Sequence, residues 1–147
     1  MKLNTSSAIV AFASNLENKS AAFYENLAQM DTANNAVFLS FAQENRKNAA
    51  QIERAYYGVI TDAIEGSFTF DMNVEEYEFD DPPMITDINE GLKKALEIEE
   101  KITGFYLAAA EQSKALLADI PRVFNLVARK RKARKSKLVS LCAEKTV

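Results

Sequence analysis

The sequence predicts an all-α protein, built as a bundle of four long helices with one long connection in the middle of the chain. The chain has 147 residues with only four glycines and three prolines, a composition that favours uninterrupted helices over a turn-rich β fold. Apolar residues recur at alternating spacings of about three and four, which is the period of one buried helical face. The length fits one domain over residues 1–147 that can bury a substantial core.

Four helices are expected in order along the chain. Asn4, Thr5 and Ser6 are candidate N-caps for the first helix, and Pro121 is well placed near the start of the fourth. Polar residues at 31–35 separate the first two helices, and Gly66 ends the second. The predicted helices cover about 5–30, 35–65, 87–118 and 121–143.

The connection at 66–86 differs in composition from the helices. It alternates aromatic residues with acids and ends at the adjacent prolines Pro82 and Pro83. Its aromatics, which are Phe68, Phe70, Tyr77 and Phe79, favour docking on the bundle over disorder. The pattern also predicts a short helical turn at 74–77.

The two halves of the chain resemble each other. Glu17 with Phe23-Tyr24 recurs as Glu99 with Phe105-Tyr106, at the same internal spacing. In the same way, the Val-Phe pair that opens the second helix recurs near the start of the fourth. Two similar helical hairpins joined by a long crossover between helices 2 and 3 predict a ferritin-like bundle, because a plain up-down bundle needs only a short loop there.

Each predicted buried face is interrupted at the same height by polar residues. These are Glu17 on helix 1, Asn45 and Asn48 on helix 2, Glu99 on helix 3, and Arg131 and Arg134 on helix 4. The common height predicts one internal polar layer across the bundle.

These residues carry a resemblance to the rubrerythrin branch of the ferritin-like superfamily, over roughly residues 8–141. That family shows Glu-x6-Tyr on helices 1 and 3, and this chain keeps it as Glu17 with Tyr24 and Glu99 with Tyr106. The family shows Phe-x2-Leu-Ala-x2-Glu-x2-His on helices 2 and 4. At its Glu and His positions this chain has Asn45 and Asn48 on helix 2, and Arg131 and Arg134 on helix 4.

The resemblance implies a di-iron oxidoreductase that pairs as a homodimer, but the ligand positions are largely lost. The chain contains no histidine, which removes the commonest nitrogen ligand for metals and the commonest general base. Because Cys142 is the single cysteine of the sequence, an internal disulfide and a CxxC metal site are excluded. We therefore expect no catalytic residues, no cofactor and no functional di-iron centre, and a structural, regulatory or small-ligand-binding role.

A metal-dependent alternative remains open at this stage. Glu17, Glu97, Glu99 and Glu100 could form a carboxylate site for iron or manganese, in an oxidoreductase or an iron-handling protein. The rival interpretation of the Glu97 and Glu100 pair is a solvated helix surface.

The charge count suggests what replaced the metal. Two carboxylates, Glu17 and Glu99, face two guanidinium groups, Arg131 and Arg134, so the layer is neutral. We hypothesise that the arginines occupy the space of the irons, with Asn45 and Asn48 satisfying leftover donors and acceptors. The alternative is that both arginines reach solvent from a basic helix. Tyr24 and Tyr106 are expected to pack and hydrogen-bond in the core.

Charge is unevenly distributed, although the net charge is only −3. The stretch 122–137 holds basic residues and no acid, which predicts a solvated outer face, with an anion or nucleic-acid patch as the alternative. No segment is typical of a membrane span, and a cytoplasmic location is expected. Nucleic acid is not an expected partner, and the sequence does not identify a small ligand.

Overall fold

Four helices dominate the computed structural model, which describes residues 2–59, 70–79, 85, 87–114 and 119–146. They are α1 (Ser6–Met30), α2 (Asn35–Val59), α3 (Ile88–Gln112) and α4 (Asp119–Thr146). Two short strands, β1 (Lys2–Leu3) and β2 (Met72–Asn73), pair antiparallel, and Val74–Glu76 forms a 3₁₀ turn. The predicted all-α four-helix bundle is confirmed.

The helix starts follow local capping chemistry. The Thr5 side chain accepts a hydrogen bond from the backbone N–H of Ala8 at 3.1 Å. The Asp87 side chain accepts in the same way from the N–H of Asn89 at 3.1 Å. Each cap satisfies one of the amide donors that the first helical turn leaves without a partner.

Three predicted helix bounds differ from the structure. Helix α3 ends at Gln112, and the hydroxyl of Ser113 donates to the carbonyl of Ala109 at 2.7 Å. Helix α4 begins before Pro121 and continues to Thr146. Pro121 is tolerated there because the first turn of a helix has no acceptor for its amide. The predicted stretches 60–65 and 115–118 lie outside the described residues.

The helices pack as antiparallel pairs. Between α1 and α2, Ser14 donates to Glu53 at 2.8 Å and Arg46 donates to Glu25 at 2.7 Å. Residues early in α1 therefore lie beside residues late in α2. Between α3 and α4, the rings of Tyr106 and Phe124 lie 6.1 Å apart. The buried faces of all four helices contribute to one apolar core.

Residues 70–79 lie across α1 and α3. Phe70 donates its N–H to the carbonyl of Asn4 at 3.0 Å, and the amide of Gln112 exchanges two hydrogen bonds with the backbone of Asp71. Further along the segment, the Tyr77 ring packs edge-on against Phe105 with centroids 5.6 Å apart. Phe70 and Phe79 are buried, whereas the predicted docking of Phe68 concerns a residue outside the described part of the chain.

The sequence pattern did not predict the two strands. A pair of strands of two residues each is too short for an alternating pattern to show. In the described part of the chain, no helix combines the length and the apolar character that a membrane crossing requires.

Candidate functional site

A layer of charged and polar side chains crosses the centre of the bundle. All six residues of the predicted layer are buried there, with exposed fractions of 0% for five of them and 3% for Arg134. The six are Glu17, Asn45, Asn48, Glu99, Arg131 and Arg134. Both arginines therefore point inward, and the alternative of a solvated face does not describe them.

The guanidinium group of Arg131 lies between the two buried glutamates. Its Nη2 donates to Oε2 of Glu17 at 2.5 Å, and its Nη1 donates to Oε1 of Glu99 at 2.7 Å. Nη1 also donates to the hydroxyl of Ser20 at 3.1 Å. One side chain of α4 thus joins α1 and α3 through charge-assisted hydrogen bonds, which are stronger than neutral ones.

Two tyrosines complete the carboxylate contacts in a reciprocal way. The hydroxyl of Tyr24 on α1 donates to Glu99 on α3 at 2.6 Å. The hydroxyl of Tyr106 on α3 donates to Glu17 on α1 at 2.7 Å. Because each tyrosine follows the glutamate of its own helix, the crossed pairs require α1 and α3 to run antiparallel.

Arg134 extends the network towards the surface. Its Nη1 donates to Asn45 at 2.6 Å and to Glu99 at 3.3 Å, and its Nη2 donates to Glu44 at 2.6 Å. The guanidinium carbon lies 4.6 Å from the ring centroid of Phe41, a cation–π distance. The Glu44 side chain is 39% exposed, so this end of the network borders solvent.

Asn48 does not satisfy the leftover donors and acceptors of the layer, contrary to what the sequence had led us to expect. Neither its side-chain oxygen nor its side-chain nitrogen has a hydrogen-bond partner, although the residue is fully buried. Asn45 does act as expected, since it accepts from Arg134 and donates to Ser20 at 3.0 Å. Oε2 of Glu99 and Nε of Arg131 and Arg134 are likewise buried without a partner.

Burial and pairing act in opposite directions on the charges of this layer. Burial raises the pKa of Glu17 above its ordinary value, while Arg131 and the hydrogen bond from Tyr106 act to lower it. Burial lowers the pKa of Arg131, but the carboxylates of Glu17 and Glu99 outweigh it and raise the pKa overall. Arg131 therefore remains a cation, and its positive charge opposes the rise that burial causes in the pKa of Glu17.

The two buried tyrosines stay protonated to high pH. Burial, followed by the charge of the neighbouring glutamate, raises the pKa of Tyr24 and of Tyr106 well above the ordinary value of 10.0. Above that value the unfolded chain loses phenolic protons that the folded chain retains. The free energy of unfolding therefore falls as the pH rises past about 10.

An alkaline titration measures this behaviour. With rising pH, we expect part of the tyrosinate absorbance to appear only when helicity is lost in a parallel circular dichroism trace. The Tyr24→Phe/Tyr106→Phe variant should lack that late step. Complete ionisation of all tyrosines in a chain that keeps its helicity would contradict the structure of this layer.

The alternative carboxylate site is not assembled. Glu17 and Glu99 are buried, whereas the side chains of Glu97 and Glu100 are 65% and 68% exposed. Glu97 pairs with Lys94 at 3.5 Å, and Glu100 pairs with Lys135 at 3.0 Å. Among the residues that the structure describes, no group of three His, Cys, Asp or Glu side chains could hold a metal ion.

The central layer itself does not fit a di-metal centre. Such a centre needs carboxylates and imidazoles converging from four helices on two cations. Here a guanidinium cation already contacts both buried carboxylates, and a second guanidinium contacts Glu99. Divalent ions placed among these groups would meet two fixed positive charges.

Comparison with other proteins does not assign the chain to a group. No protein-family model, no curated protein and no solved structure matches it.

Two members of the network were not identified as site residues from the sequence. Ser20 lies on the predicted buried face of helix 1, but its role as a shared acceptor for Asn45 and Arg131 depends on three helices meeting. Glu44 is next to Asn45 in the sequence but is not one of the six predicted layer residues. The spacing from Phe41 to Glu44, one helical turn, is the signal that places Glu44 near Arg134.

Proposed function

We propose that this chain is a non-catalytic, ferritin-like protein of the rubrerythrin type, in which a network of arginine, glutamate and tyrosine side chains replaces the di-iron centre. Its role is structural, regulatory or small-ligand binding. The observation that carries the proposal is the position of Arg131, whose guanidinium contacts Glu17 and Glu99 at 2.5 and 2.7 Å. Those two carboxylates are the residues that match the ligand positions of the family.

The direction of the helices supports a ferritin-like connection. Helix α1 runs antiparallel to α2, and the crossed tyrosine contacts make it antiparallel to α3 as well. Helices α2 and α3 then run in the same direction, so the chain between them has to return along the bundle. Three contacts agree with such a return. The backbone of Phe70 bonds to Asn4, and the carbonyl of Phe79 accepts from Lys19. Ile85 lies close to Gly91.

The charge of the layer supports replacement of the metal ions by arginine side chains over a simple loss of the metal centre. Glu17 and Glu99 would be costly to bury alone, since an uncompensated buried charge is strongly destabilising. Arg131 and Arg134 supply the opposite charge that metal ions supply in the family. The layer thus keeps its carboxylates without requiring a metal.

Metal content tests this proposal. Protein purified from cultures supplemented with iron or with manganese should contain far less than one metal ion per chain by elemental analysis. Stoichiometric metal that disappears in the Glu17→Gln/Glu99→Gln variant would overturn the proposal. The Glu97→Gln/Glu100→Gln variant is the matched control on the surface of α3, and metal lost in that variant would point to the carboxylate site instead.

The resemblance also implies a homodimer, and this remains a proposal. Leu39 and Val139 are apolar residues of α2 and α4 that are exposed in the single chain. Light scattering of the purified protein measures the oligomeric state, and a monomer at high protein concentration would exclude the dimer. The cytoplasmic location likewise stays a prediction.

A further inference from the structure

A surface groove of about 530 Å³ lies between α3 and α4, away from the central layer. It is lined by Leu107 of α3 and by one stripe of α4. The stripe consists of Arg122, Asn125, Ala128, Arg129 and Lys132. From Arg122 to Lys132 it rises about 15 Å along the helix.

The lining of the groove is positively charged. Among the residues that the structure describes, this lining includes three cations, Arg122, Arg129 and Lys132, and no carboxylate. The structure shows no carboxylate within salt-bridge distance of Arg129 or Lys132 among the described residues, whereas nearby Lys135 pairs with Glu100 at 3.0 Å. Arg129 and Lys132 lie one helical turn apart, so both can reach one anionic group.

The same groove has an apolar part. Leu107 is 41% exposed, whereas Ala128, which also lines the groove, is 1% exposed. An exposed apolar side chain close to Arg129 and Lys132 favours a ligand that has both an apolar portion and an anionic group.

We propose that the groove between α3 and α4 binds a small amphiphilic anion, an alkyl chain that ends in a phosphate or carboxylate. The alkyl chain packs on Leu107, and the anionic group lies between Arg129 and Lys132. A single-stranded nucleic acid fits less well because none of the described residues that line the groove is aromatic, and bases bind such grooves by stacking on aromatic rings. The ligand has two sources, a free amphiphile or a lipid in a membrane surface.

This inference does not depend on the state of the central layer. None of the groove residues takes part in the contacts of Arg131 or Arg134. Failure of the groove experiment therefore leaves the proposed replacement of the metal centre unaffected, and metal binding in the core leaves the groove proposal unaffected.

Binding of decyl phosphate to the intact protein, below the critical micelle concentration, tests the proposal by calorimetry. Decyl phosphate should bind at least about tenfold more tightly than inorganic phosphate, because only the former has apolar surface to bury. The Arg129→Gln/Lys132→Gln variant should bind at least about tenfold more weakly, since it loses both cations. The Lys130→Gln/Lys137→Gln variant removes equal charge from α4 outside the groove and should retain the affinity of the parent.

Vesicles of phosphatidylcholine with phosphatidylglycerol form the second arm of the test. Binding to decyl phosphate, or to vesicles, that is lost in the groove variant but kept in the control variant supports the proposal and identifies the source. Three results would overturn it: no binding in either arm, equal affinity for decyl phosphate and inorganic phosphate, or equal losses in both variants. Salt-sensitive binding of single-stranded DNA or an acidic peptide without binding of either amphiphile would also overturn it.

Discussion

Replacing Arg131 with Met is expected to lower the free energy of unfolding by about 3–5 kcal/mol. The substitution removes one hydrogen-bond donor to Glu17 and one to Glu99, and both carboxylates remain inside the bundle. Met has a similar volume, so lost packing is a small part of the cost. Denaturant unfolding followed by circular dichroism measures the effect, and Glu99→Gln should also destabilise the protein.

The neighbouring residue offers a matched control. Lys132 lies next to Arg131 in sequence but is exposed, and Lys132→Met should change the free energy of unfolding by about 0.5 kcal/mol or less. Neutralising both carboxylates in the Arg131→Met background should recover much of the loss, because no buried charge is then left unpaired. Losses below about 1 kcal/mol for both Arg131→Met and Glu99→Gln would contradict the interior ion network.

The pH dependence of the same variant has a defined sign. Without Arg131, the main influence that lowers the pKa of Glu17 is gone, while burial still raises it. A carboxyl group with a raised pKa in the folded state contributes stability at acid pH that is lost as the pH rises through that pKa. Relative to the parent, Arg131→Met should therefore lose less free energy of unfolding near pH 5 than near pH 8, because the buried Glu17 of the variant takes up about one proton at the lower pH.

Restoring the ligand set of the family is the second change with a large expected effect. The variant Asn45→Glu, Asn48→His, Arg131→Glu and Arg134→His should bind about two iron ions per chain, because each of two helices then presents a Glu-x-x-His pair. All four positions already face the interior at the height of Glu17 and Glu99. Elemental analysis together with the absorbance of the iron-loaded protein measures the result.

The half-restored chain is the control for this experiment. Asn45→Glu with Asn48→His adds two ligands but keeps both guanidinium groups, and it should bind little iron because the cations remain beside the site. A folded quadruple variant that takes up no iron would show that the six positions do not correspond to the ligand positions of the family.

The sequence predicted the interior positions because a helix repeats its buried face every three or four residues. That period placed Glu17 and Glu99 on the inside and favoured the same for Arg131 and Arg134, although long arginine side chains could also have reached solvent. Opposite charges at one height implied pairing. The partners were less predictable. The donation from Tyr24 to Glu99 depends on the direction of α1 relative to α3, which no local pattern specifies.

Asn48 shows a different limit. Its side chain could satisfy donors and acceptors in principle, but hydrogen bonds need distances within a few tenths of an ångström, and helical periodicity fixes only the face. In the structure, the remaining hydrogen bonds are made by other residues: Asn45 donates to Ser20, and Arg134 donates to Asn45 and Glu44. The helix ends near Gln112 and Asp119 were missed for a related reason, since apolar periodicity continues across both.

The crossed contacts of the layer have a consequence for how the chain folds. Glu17 belongs to the hairpin of α1 and α2, yet both of its partners, Tyr106 and Arg131, belong to the hairpin of α3 and α4. A first hairpin formed alone would have to bury an unpaired carboxylate or stay open at its centre. The two hairpins consequently depend on each other for completion, and unfolding should follow a single cooperative transition without a stable half-assembled state.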